Sequence, residues 1–507
     1  MVKETLDAPY SHYLFDTELS QNIDRRTIEE MGIDGFTLME IAGSTAAKIL
    51  LQEKELTHGV YLCGKGNNAG DALVVARYLL QHNVETTIVF LSGSKDLSPD
   101  TQKNLKLLKK FNSDDKLTFF DSWEQFTLPD EFDFIVDGML GTGLTSNVRG
   151  DYTQAVEWAN RQQQPIFAMD IPTGLHADSG KTMGCAIESD TTFTFGGRKL
   201  GLYLKDGPKK AGSIRYCELP FPNEFKEDCN TYLLDESWVQ MKTPTPGQHK
   251  YNSGVLYIIA GSEGLTGAAI MAAKSAWAEG LGAIILICPR GVLSVYEQAL
   301  PSIIKKPVGH RDDYHFKADH ANSVLKILSE KEGALLLGPG LGREESTVRF
   351  VNEILSQNNK PTVIDADGLW CLAQVEIENF SKTDQSKWVL TPHPGELHRL
   401  VSDTGLQEDS RLQTVRKYAQ TVGVTILAKG MPGIVGTPEG KSYLTNYNTR
   451  YFSRAGSGDV LAGKISAHLA FGQRPTVSCA YGLLNGKQKL EHYLKHHQDL
   501  PEPRDFI

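Results

Sequence analysis

The chain lacks the features of several special classes of protein. No uncharged apolar run approaches the length needed to span a membrane, and residues 1–7 are polar rather than an apolar signal core. The net charge is −10 and no basic block is present, which argues against nucleic acid as a partner. We therefore expect a cytoplasmic protein with neither a membrane nor a nucleic-acid partner.

Cysteine and the common nucleotide motifs are also scarce. The seven cysteines are odd in number and have no CxxC spacing, so they fit neither a disulfide framework nor a zinc site. There is no Walker sequence and no protein-kinase motif. Any nucleotide chemistry must therefore be of another type.

The chain is too long, at 507 residues, for one ordinary hydrophobic core. Short apolar runs alternate with helical patterns from about residue 20 to 220 and again after residue 254, which predicts βαβ units with mainly parallel sheets. A proline-rich, charged segment at 220–250 is typical of a linker. We predict two α/β domains, at 1–235 and 236–507.

In the first half, a predicted strand ending at Cys63 runs into a glycine-rich loop, Gly64–Asp71, and then a helix predicted from Ala72 to His82. Such a loop allows a ligand phosphate to approach the backbone. The next predicted strand ends in Ser92-Gly93-Ser94 and carries no acidic residue for a ribose. A hydride-transferring dehydrogenase is therefore disfavoured.

Polar residues follow three predicted strands of this half. Asn68, Asp137 and Thr173 would meet at one edge of a parallel sheet and offer oxygen ligands with one formal charge. Such a set suits a monovalent cation better than zinc or magnesium. Helix capping and turn formation are the alternative roles for Asp137 and Asp170.

These motifs resemble the YjeF N-terminal domain, the epimerase of hydrated nicotinamide nucleotides, over roughly residues 10 to 220. The resemblance implies a potassium site at Asn68, Asp137 and Thr173, and Asp170 as the acid/base that also contacts the substrate. It places the hydrate along two loops: Asn67, Asn68, Ala69, Gly70 and Asp71, and Gly141, Thr142, Gly143, Leu144, Thr145, Ser146 and Asn147. Ile41, Ala69, Ala72 and Thr173 depart from the usual residues of that family.

In the second half, Gly456-Ser457-Gly458-Asp459 precedes an apolar helix. The glycines allow backbone N–H groups to point at an anion at the positive end of the helix, where Asp459 could accept a proton from a hydroxyl. Helix capping is the alternative role of Asp459. Two further candidates for ligand contacts are His393, between two prolines, and Lys429, before a glycine. Their alternative roles are a structural histidine and a solvated lysine.

Together with His249-Lys250, GPGLG, DADGL, TPHPGE and AKG, these residues resemble a ribokinase-like domain. The closest resemblance is to the ADP- or ATP-dependent dehydratase of hydrated NADH and NADPH, over about residues 240 to 485. It implies that substrate lies near Ala268, Gly342, His393 and Asp459, and that magnesium accompanies the nucleotide. It places the nucleotide near Lys429, Gly430, Met431, Pro432, Gly433 and Gly458. Trp370, Gly433 and Asn485 depart from the pattern of the family.

The two resemblances imply an α/β protein with an N-terminal Rossmann-like three-layer αβα domain and a C-terminal ribokinase-like αβα domain. Its expected function is repair of NADH hydrate and NADPH hydrate, as an isomerase and a lyase on one chain, with potassium, magnesium and ADP or ATP. The family also implies a homo-oligomer. Two alternatives are a ribokinase-like small-molecule kinase with a regulatory first domain, and a nucleotide-binding scaffold without catalysis.

Overall fold

A computed structural model describes residues 6–53, 56–111, 116–239, 254–375, 383–402 and 404–507. The chain divides into two compact units. The first unit spans residues 9–231, and the second joins residues 232–507 to the N-terminal residues up to Ala8. The boundary near residue 235 remains a prediction. His249 and Lys250 lie outside the described residues.

The first unit is built on a seven-stranded, all-parallel sheet with the order β4-β3-β2-β5-β6-β7-β9, while β1 and β8 form a separate parallel pair. Its strands are β1 Leu14–Phe15, β2 His58–Cys63, β3 Glu85–Phe90, β4 Leu117–Phe120, β5 Phe134–Gly138, β6 Ile166–Met169, β7 Thr191–Phe195, β8 Arg198–Lys199 and β9 Ser213–Cys217. Its helices are α1 Thr17–Met31, α2 Gly35–Glu53, α3 Asn67–Gln81, α4 Pro99–Lys110, α5 Asp151–Ala159 and α6 Gly207–Lys210.

The second unit contains a ten-stranded sheet with the order β10-β19-β18-β17-β16-β15-β14-β11-β12-β13. The run from β17 to β13 is parallel, and β17, β18 and β19 pair antiparallel. The strands are β10 Thr231–Leu234, β11 Val255–Ile259, β12 Ala283–Pro289, β13 Ile304–Val308, β14 Ala334–Leu337, β15 Thr362–Ile364, β16 Trp388–Leu390, β17 Thr425–Ala428, β18 Ile434–Gly436 and β19 Ser442–Thr445. The helices are α7 Thr266–Ala278, α8 Leu293–Ala299, α9 Ala321–Leu328, α10 Glu345–Gln357, α11 Asp367–Leu372, α12 Pro394–Val401, α13 Arg411–Val422, α14 Ser457–Ala470 and α15 Pro475–His496.

The α/β class and the mainly parallel sheets are confirmed. The central strands are buried on both faces, as the continuous apolar runs of β2 and β11 indicate. Among the helices that the structure describes, none combines the length and apolarity needed to cross a membrane.

Two predictions about local structure were wrong. Strand β10 lies inside the predicted linker, because Thr231-Tyr232-Leu233-Leu234 is a short buried run next to the proline-rich region. Helix α3 begins at Asn67, five residues before the predicted start at Ala72. Gly66, in an extended conformation, is the N-cap, so Asn67–Asp71 form the first turns of the helix rather than a loop.

Candidate active sites

In the first unit, the strands that carry the predicted cation ligands are neighbours in the sheet. Strand β5 contains Asp137 and lies between β2 and β6, which precede Asn68 and Thr173 respectively. Because parallel strands have their carboxyl ends at the same edge of a sheet, these three side chains lie at the ends of three adjacent strands. The edge therefore gathers the polar clusters that the sequence placed after separate strands.

Asp137 and Thr173 are directly bonded. The Thr173 hydroxyl and backbone N–H donate to the two carboxylate oxygens of Asp137, each at 2.7 Å, and the N–H of Met139 donates to the same carboxylate at 3.2 Å. Burial raises the pKa of Asp137 to about 6, although these hydrogen bonds oppose the rise. The arrangement fixes a fully buried carboxylate and a hydroxyl oxygen side by side.

Asn68 is the third predicted ligand, and its amide is unusual. It is buried, and within the described part of the chain neither its oxygen nor its nitrogen has a hydrogen-bond partner. A Cβ at Gly141 would lie 3.8 Å from this amide oxygen. A buried amide left unpaired is costly, so it indicates a group that binds something further.

A cavity of about 760 Å³ lies beside this edge. Residues from both predicted substrate loops line it, together with Asp170. These predicted lining residues are Asn67, Asn68, Asp71, Gly141, Thr142, Gly143, Leu144, Thr145 and Ser146. Three other predicted substrate residues do not line the cavity: Ala69, Gly70 and Asn147. The methyl group of Ala69 is fully buried in the fold.

Asp170 occupies a constrained position at the end of β6. Its φ of 63° lies in the left-handed region, which is uncommon for a residue with a Cβ. The buried ammonium of Lys199 is hydrogen-bonded to its Oδ1, and the N–H of Phe195 donates to the same oxygen at 3.2 Å. Sequence reasoning missed Lys199, because β8 follows the glycine pair Gly196-Gly197 and carries no recognised motif.

In the second unit, three adjacent strands again end in polar residues. Asp365 follows β15, Thr391 follows β16 and Lys429 follows β17. The Lys429 Nζ donates to Asp365 Oδ1 at 2.6 Å, and the Thr391 hydroxyl donates to the same oxygen at 2.8 Å. Asp365 is only 1% exposed, so Lys429 balances a carboxylate that has left water.

His393 is the N-cap of α12 and forms a reciprocal capping box with Glu396. Its Nδ1 accepts from the N–H of Gly395 at 3.0 Å, while the His393 N–H donates to Glu396 Oε2 at 2.9 Å. The acceptor role leaves Nε2 to carry the proton in the neutral ring, at 3.3 Å from Glu396 Oε1. The predicted rigid turn is present, with the ring held by the helix start.

The GSGD segment is the first turn of α14. Gly456 is the N-cap, with a φ of 95° that favours glycine. A Cβ at Gly458 would lie 3.2 Å from Lys429 Nζ, so the Lys429–Asp365 pair stands directly beside this turn. The helix start and the lysine together form a positive surface suited to a phosphate.

Asp459 lies in the same turn and is mostly enclosed by protein. Desolvation raises its pKa to about 7, and the charge of Asp365 adds to the rise while Lys429 opposes it. A carboxyl with a pKa near neutral can both accept and release a proton at physiological pH. The geometry therefore suits general-base chemistry next to a bound phosphate.

A cavity of about 460 Å³ opens in front of this turn. Most of the predicted residues line it: His393, Lys429, Gly430, Met431, Gly433, Gly458 and Asp459. Ala268, Gly342 and Pro432 do not line it. The N–H of Gly342 instead donates to Asp367, whose charge contributes to the raised pKa of Asp459.

The loop from Lys429 to Gly433 is held by a residue that the sequence analysis did not identify. The half-buried guanidinium of Arg411 donates to the carbonyl oxygens of Lys429, at 3.2 Å, and of Pro432. Gly430 leaves the room for it, because a Cβ there would lie 2.0 Å from Arg411 Nη1. The N–H of Gly433 is already occupied, donating to the Thr445 hydroxyl at 2.8 Å.

Two family sequence models match the chain. The model for NAD(P)H-hydrate dehydratase matches residues 256–491, and the one described as YjeF-related protein N-terminus matches residues 35–201. Each match falls within one of the two compact units.

Curated relatives match nearly the whole chain. A bifunctional NAD(P)H-hydrate repair enzyme of Salinibacter ruber is 36% identical over 511 residues, which is 96% of this chain and 92% of the relative. A protein of the same name from Moorella thermoacetica is 32% identical over 484 residues, 93% of this chain and 90% of the relative. A solved ADP/ATP-dependent NAD(P)H-hydrate dehydratase from Bacillus subtilis, co-crystallised with ATP and Mg²⁺, is 22% identical with a TM-score of 0.44, and covers 54% of this chain and 94% of that chain.

Proposed function

The chain belongs to the family of bifunctional NAD(P)H-hydrate repair enzymes, and on this premise we propose how its two units divide the repair of hydrated NADH and NADPH. The first unit interconverts the R and S epimers of the hydrate. The second unit dehydrates the S epimer at the expense of ADP or ATP. Both activities are needed on one pathway because a hydrate formed without an enzyme contains both epimers.

In the first unit, Asp170 is the acid/base and the 760 Å³ cavity holds the hydrate. The residues beside it fit a potassium ion, with Asn68, Asp137 and Thr173 as its ligands. The unpartnered buried amide of Asn68 supports this assignment, as does the oxygen-only donor set with a single carboxylate. When bound, the ion supplies positive charge at the sheet edge and orders the loop that carries Leu140.

In the second unit, Asp459 takes the proton from the hydroxyl of the hydrated ring. The hydroxyl oxygen then attacks the terminal phosphoryl group of the nucleotide, and the P–O bond to the rest of the nucleotide breaks. The C–O bond of the phosphorylated hydrate breaks next and releases inorganic phosphate. Loss of a ring proton from the neighbouring carbon restores the double bond, and therefore NADH or NADPH.

The nucleotide phosphates would be held by the start of α14 around Gly458, by Lys429 and by the loop to Gly433. The proximity of Lys429 Nζ to Gly458 is the observation that carries this proposal. Magnesium would arrive with the nucleotide, and the carboxylates of Asp365 and Glu396, which line the cavity, are the kind of oxygen donor that it prefers. The substrate would lie near His393 and Asp459, with Ala268 and Gly342 as more distant contacts.

A cytoplasmic location and a homo-oligomeric state complete the proposal. The location is supported by cysteines that form no disulfide in the described part of the chain. The oligomer is an expectation from the family alone.

The test supplies the purified chain with a mixture of both epimers and ATP or ADP. The wild type should convert all of the hydrate to NADH. Asp459→Asn should abolish dehydration. With Asp170→Asn, one epimer should be consumed only at the rate of its uncatalysed conversion to the other. Asp409→Asn, a change at an exposed carboxylate of the second unit, is the matched control and should behave as wild type.

Two other outcomes favour the alternatives. A stable phosphorylated product from a small alcohol, with the hydrates untouched, would identify a ribokinase-like kinase. Nucleotide binding with no turnover of either epimer would identify a scaffold. Wild-type protein that leaves both epimers unchanged with either nucleotide contradicts the proposed function.

A further inference from the structure

The cavity of the first unit contains more charge than a single acid/base requires. Three carboxyl groups line it, from Asp24 on α1, Asp71 on α3 and Asp170 after β6. Lys199 and Lys65 are the lining residues with basic side chains, and Lys65 is drawn toward Asp96 at 3.8 Å. Among the described residues that line the cavity, Tyr152 is the remaining titratable one, and its hydroxyl accepts a hydrogen bond from Ser92 at 3.0 Å.

The Asp170 carboxyl is held in position by several hydrogen bonds. The Lys199 ammonium bonds to Asp170 and also donates to the carbonyl oxygen of Phe195 at 2.7 Å, while the N–H of Phe195 donates to Asp170. These contacts fix the direction of the Asp170 carboxyl group. Lys199 is therefore the residue that positions Asp170 in the cavity.

Asp24 is placed differently. Within the part of the chain that the structure describes, its carboxyl makes no hydrogen bond or ion pair, so it is free to meet a ligand in the cavity. Asp24 is an exposed residue that lines the cavity, and neighbouring protein atoms displace part of its hydration. This desolvation is the main reason that its pKa rises to about 6, with the charge of Lys199 opposing the rise and that of Asp170 adding to it.

Asp71 is less suited to move protons. Burial, and then the charge of Asp170, raise its pKa well above the ordinary value. Asp71 is also half-buried, whereas Asp24 is exposed and therefore more accessible to a ligand in the cavity. Of the two remaining carboxyls, Asp24 is the one placed to exchange a proton with that ligand.

If a carbon that bears a hydroxyl next to a ring nitrogen inverts by loss and re-addition of water, two proton transfers are needed, one on each face of the ring. We propose that Asp24 is the second proton-transfer residue of the epimerase, acting on the ring face opposite to Asp170. This inference rests on the epimerase function proposed above. It assigns a catalytic role to a helix that the sequence motifs did not include.

The proposed reaction balances. The C–O bond breaks with its electron pair on oxygen, which takes a proton from the Asp24 carboxyl and leaves as water. The ring nitrogen lone pair forms a C=N⁺ bond. A water molecule then adds to the other face, its proton passes to the Asp170 carboxylate, and the electrons of the C=N⁺ bond return to nitrogen. Asp24 and Asp170 exchange roles in the reverse direction and reset through solvent.

The test uses the full-length chain without any nucleotide, so that the second unit is idle and only epimerisation is measured. Separate R and S hydrates are followed by chromatography in H₂¹⁸O, for the wild type, Asp24→Asn, Asp24→Glu and the control Glu29→Gln. Glu29 lies on the same helix, exposed and paired with Arg25, and does not line the cavity. Thermal unfolding and dehydration of the S epimer with ATP confirm that each variant is folded.

We expect Asp24→Asn to lower kcat by about 100-fold or more with a change in KM below about threefold, and Glu29→Gln to match wild type. Wild-type kcat/KM should fall as the pH rises above about 6, because the proton on Asp24 is lost. This limb should vanish in Asp24→Asn and return in Asp24→Glu. Each wild-type turnover should introduce one ¹⁸O atom.

Three results would overturn the inference while leaving the epimerase intact: an Asp24→Asn variant as fast as wild type, a pH profile that this change does not alter, or an inverted product that retains its original oxygen. A wild-type chain that does not interconvert the epimers at all would overturn the proposed epimerase function itself. The two failures are therefore distinguishable.

Discussion

Replacing Glu279 by glutamine should test how helix α14, which carries Asp459, is held in the second unit. Glu279 immediately follows α7, and its carboxylate accepts from Lys464 of α14 at 2.8 Å and lies 3.3 Å from His468 Nε2. The side chains of Glu279 and Lys464 are 11% and 2% exposed. Removing only one partner of a buried ion pair costs a protein more stability than removing both, because it leaves a buried charge without a partner.

The magnitude follows from the pKa of Glu279. Desolvation would raise it, but the hydrogen bond from His468 and the charge and hydrogen bond of Lys464 outweigh this effect and lower it from 4.5 to about 2. At roughly 1.4 kcal/mol for each tenfold change in the equilibrium, the fall corresponds to about 3 kcal/mol of stability at pH 7. Because the folded-state pKa is depressed, this stability is present above pH 4.5 and is lost as the pH falls toward 2.

The assay is urea unfolding of wild type and Glu279→Gln from pH 7 to pH 3.5. The free energy of unfolding is compared for the transition whose midpoint differs between the two proteins. The variant should be less stable by about 3 kcal/mol at pH 7, and this difference should shrink by about 1 kcal/mol between pH 6 and pH 3.5. The double change with Lys464→Met should recover much of the loss, since no unpaired charge remains. Glu345→Gln, at an exposed pair with Arg349, should change stability by less than about 0.5 kcal/mol.

Two results would refute this reasoning. The first is a loss below about 1 kcal/mol at pH 7, which would place the pair among those that contribute little. The second is a loss that does not change with pH, because the effect would then come from packing rather than from the charge of Glu279.

Three further predictions concern the two sites. Dehydration should slow below about pH 7 as Asp459 gains a proton, which gives the kcat/KM profile an acidic limb. Asp365→Asn should move this limb to lower pH, because it removes the neighbouring negative charge. A limb that stays in place would contradict the assignment of Asp459 as the base. Asn68→Ala should raise the potassium concentration for half-maximal epimerisation by about tenfold or more, measured with sodium as the balancing ion, because one ligand is lost. Gly64→Ala should lower stability by about 2–4 kcal/mol in thermal unfolding, because its Cβ would lie 1.9 Å from a backbone carbonyl oxygen. Gly66→Ala has open space around it and should cost no more than about 1 kcal/mol, because alanine is a poorer N-cap for α3 than glycine.

Much of the fold could be predicted from the sequence because buried parallel strands are continuous apolar runs. The strands around Val60 and Ile258 were found in this way. Edge strands were not found, since they need not be apolar. Strand β13, Ile304–Val308, contains two lysines and a proline and lies at the end of its sheet, where such residues are tolerated.

The sequence by itself determined which polar residues lie at the strand ends. Glycine-rich turns, Asp170 and Asp459 are local signals, because the backbone freedom and the charge are written in a few adjacent residues. The assignment to two joined α/β domains likewise needs only the order of apolar runs and motifs along the chain.

Only the tertiary structure decided which partners those residues have. Lys199 bonds to Asp170, 29 positions before it, and Lys429 pairs with Asp365, 64 positions before it. Asp24 shares the first cavity with Asp170, which is 146 positions further along the chain. The resulting pKa values depend on distances and burial that no local pattern contains. A motif therefore locates an acid, whereas its protonation state is set by groups that the fold brings beside it.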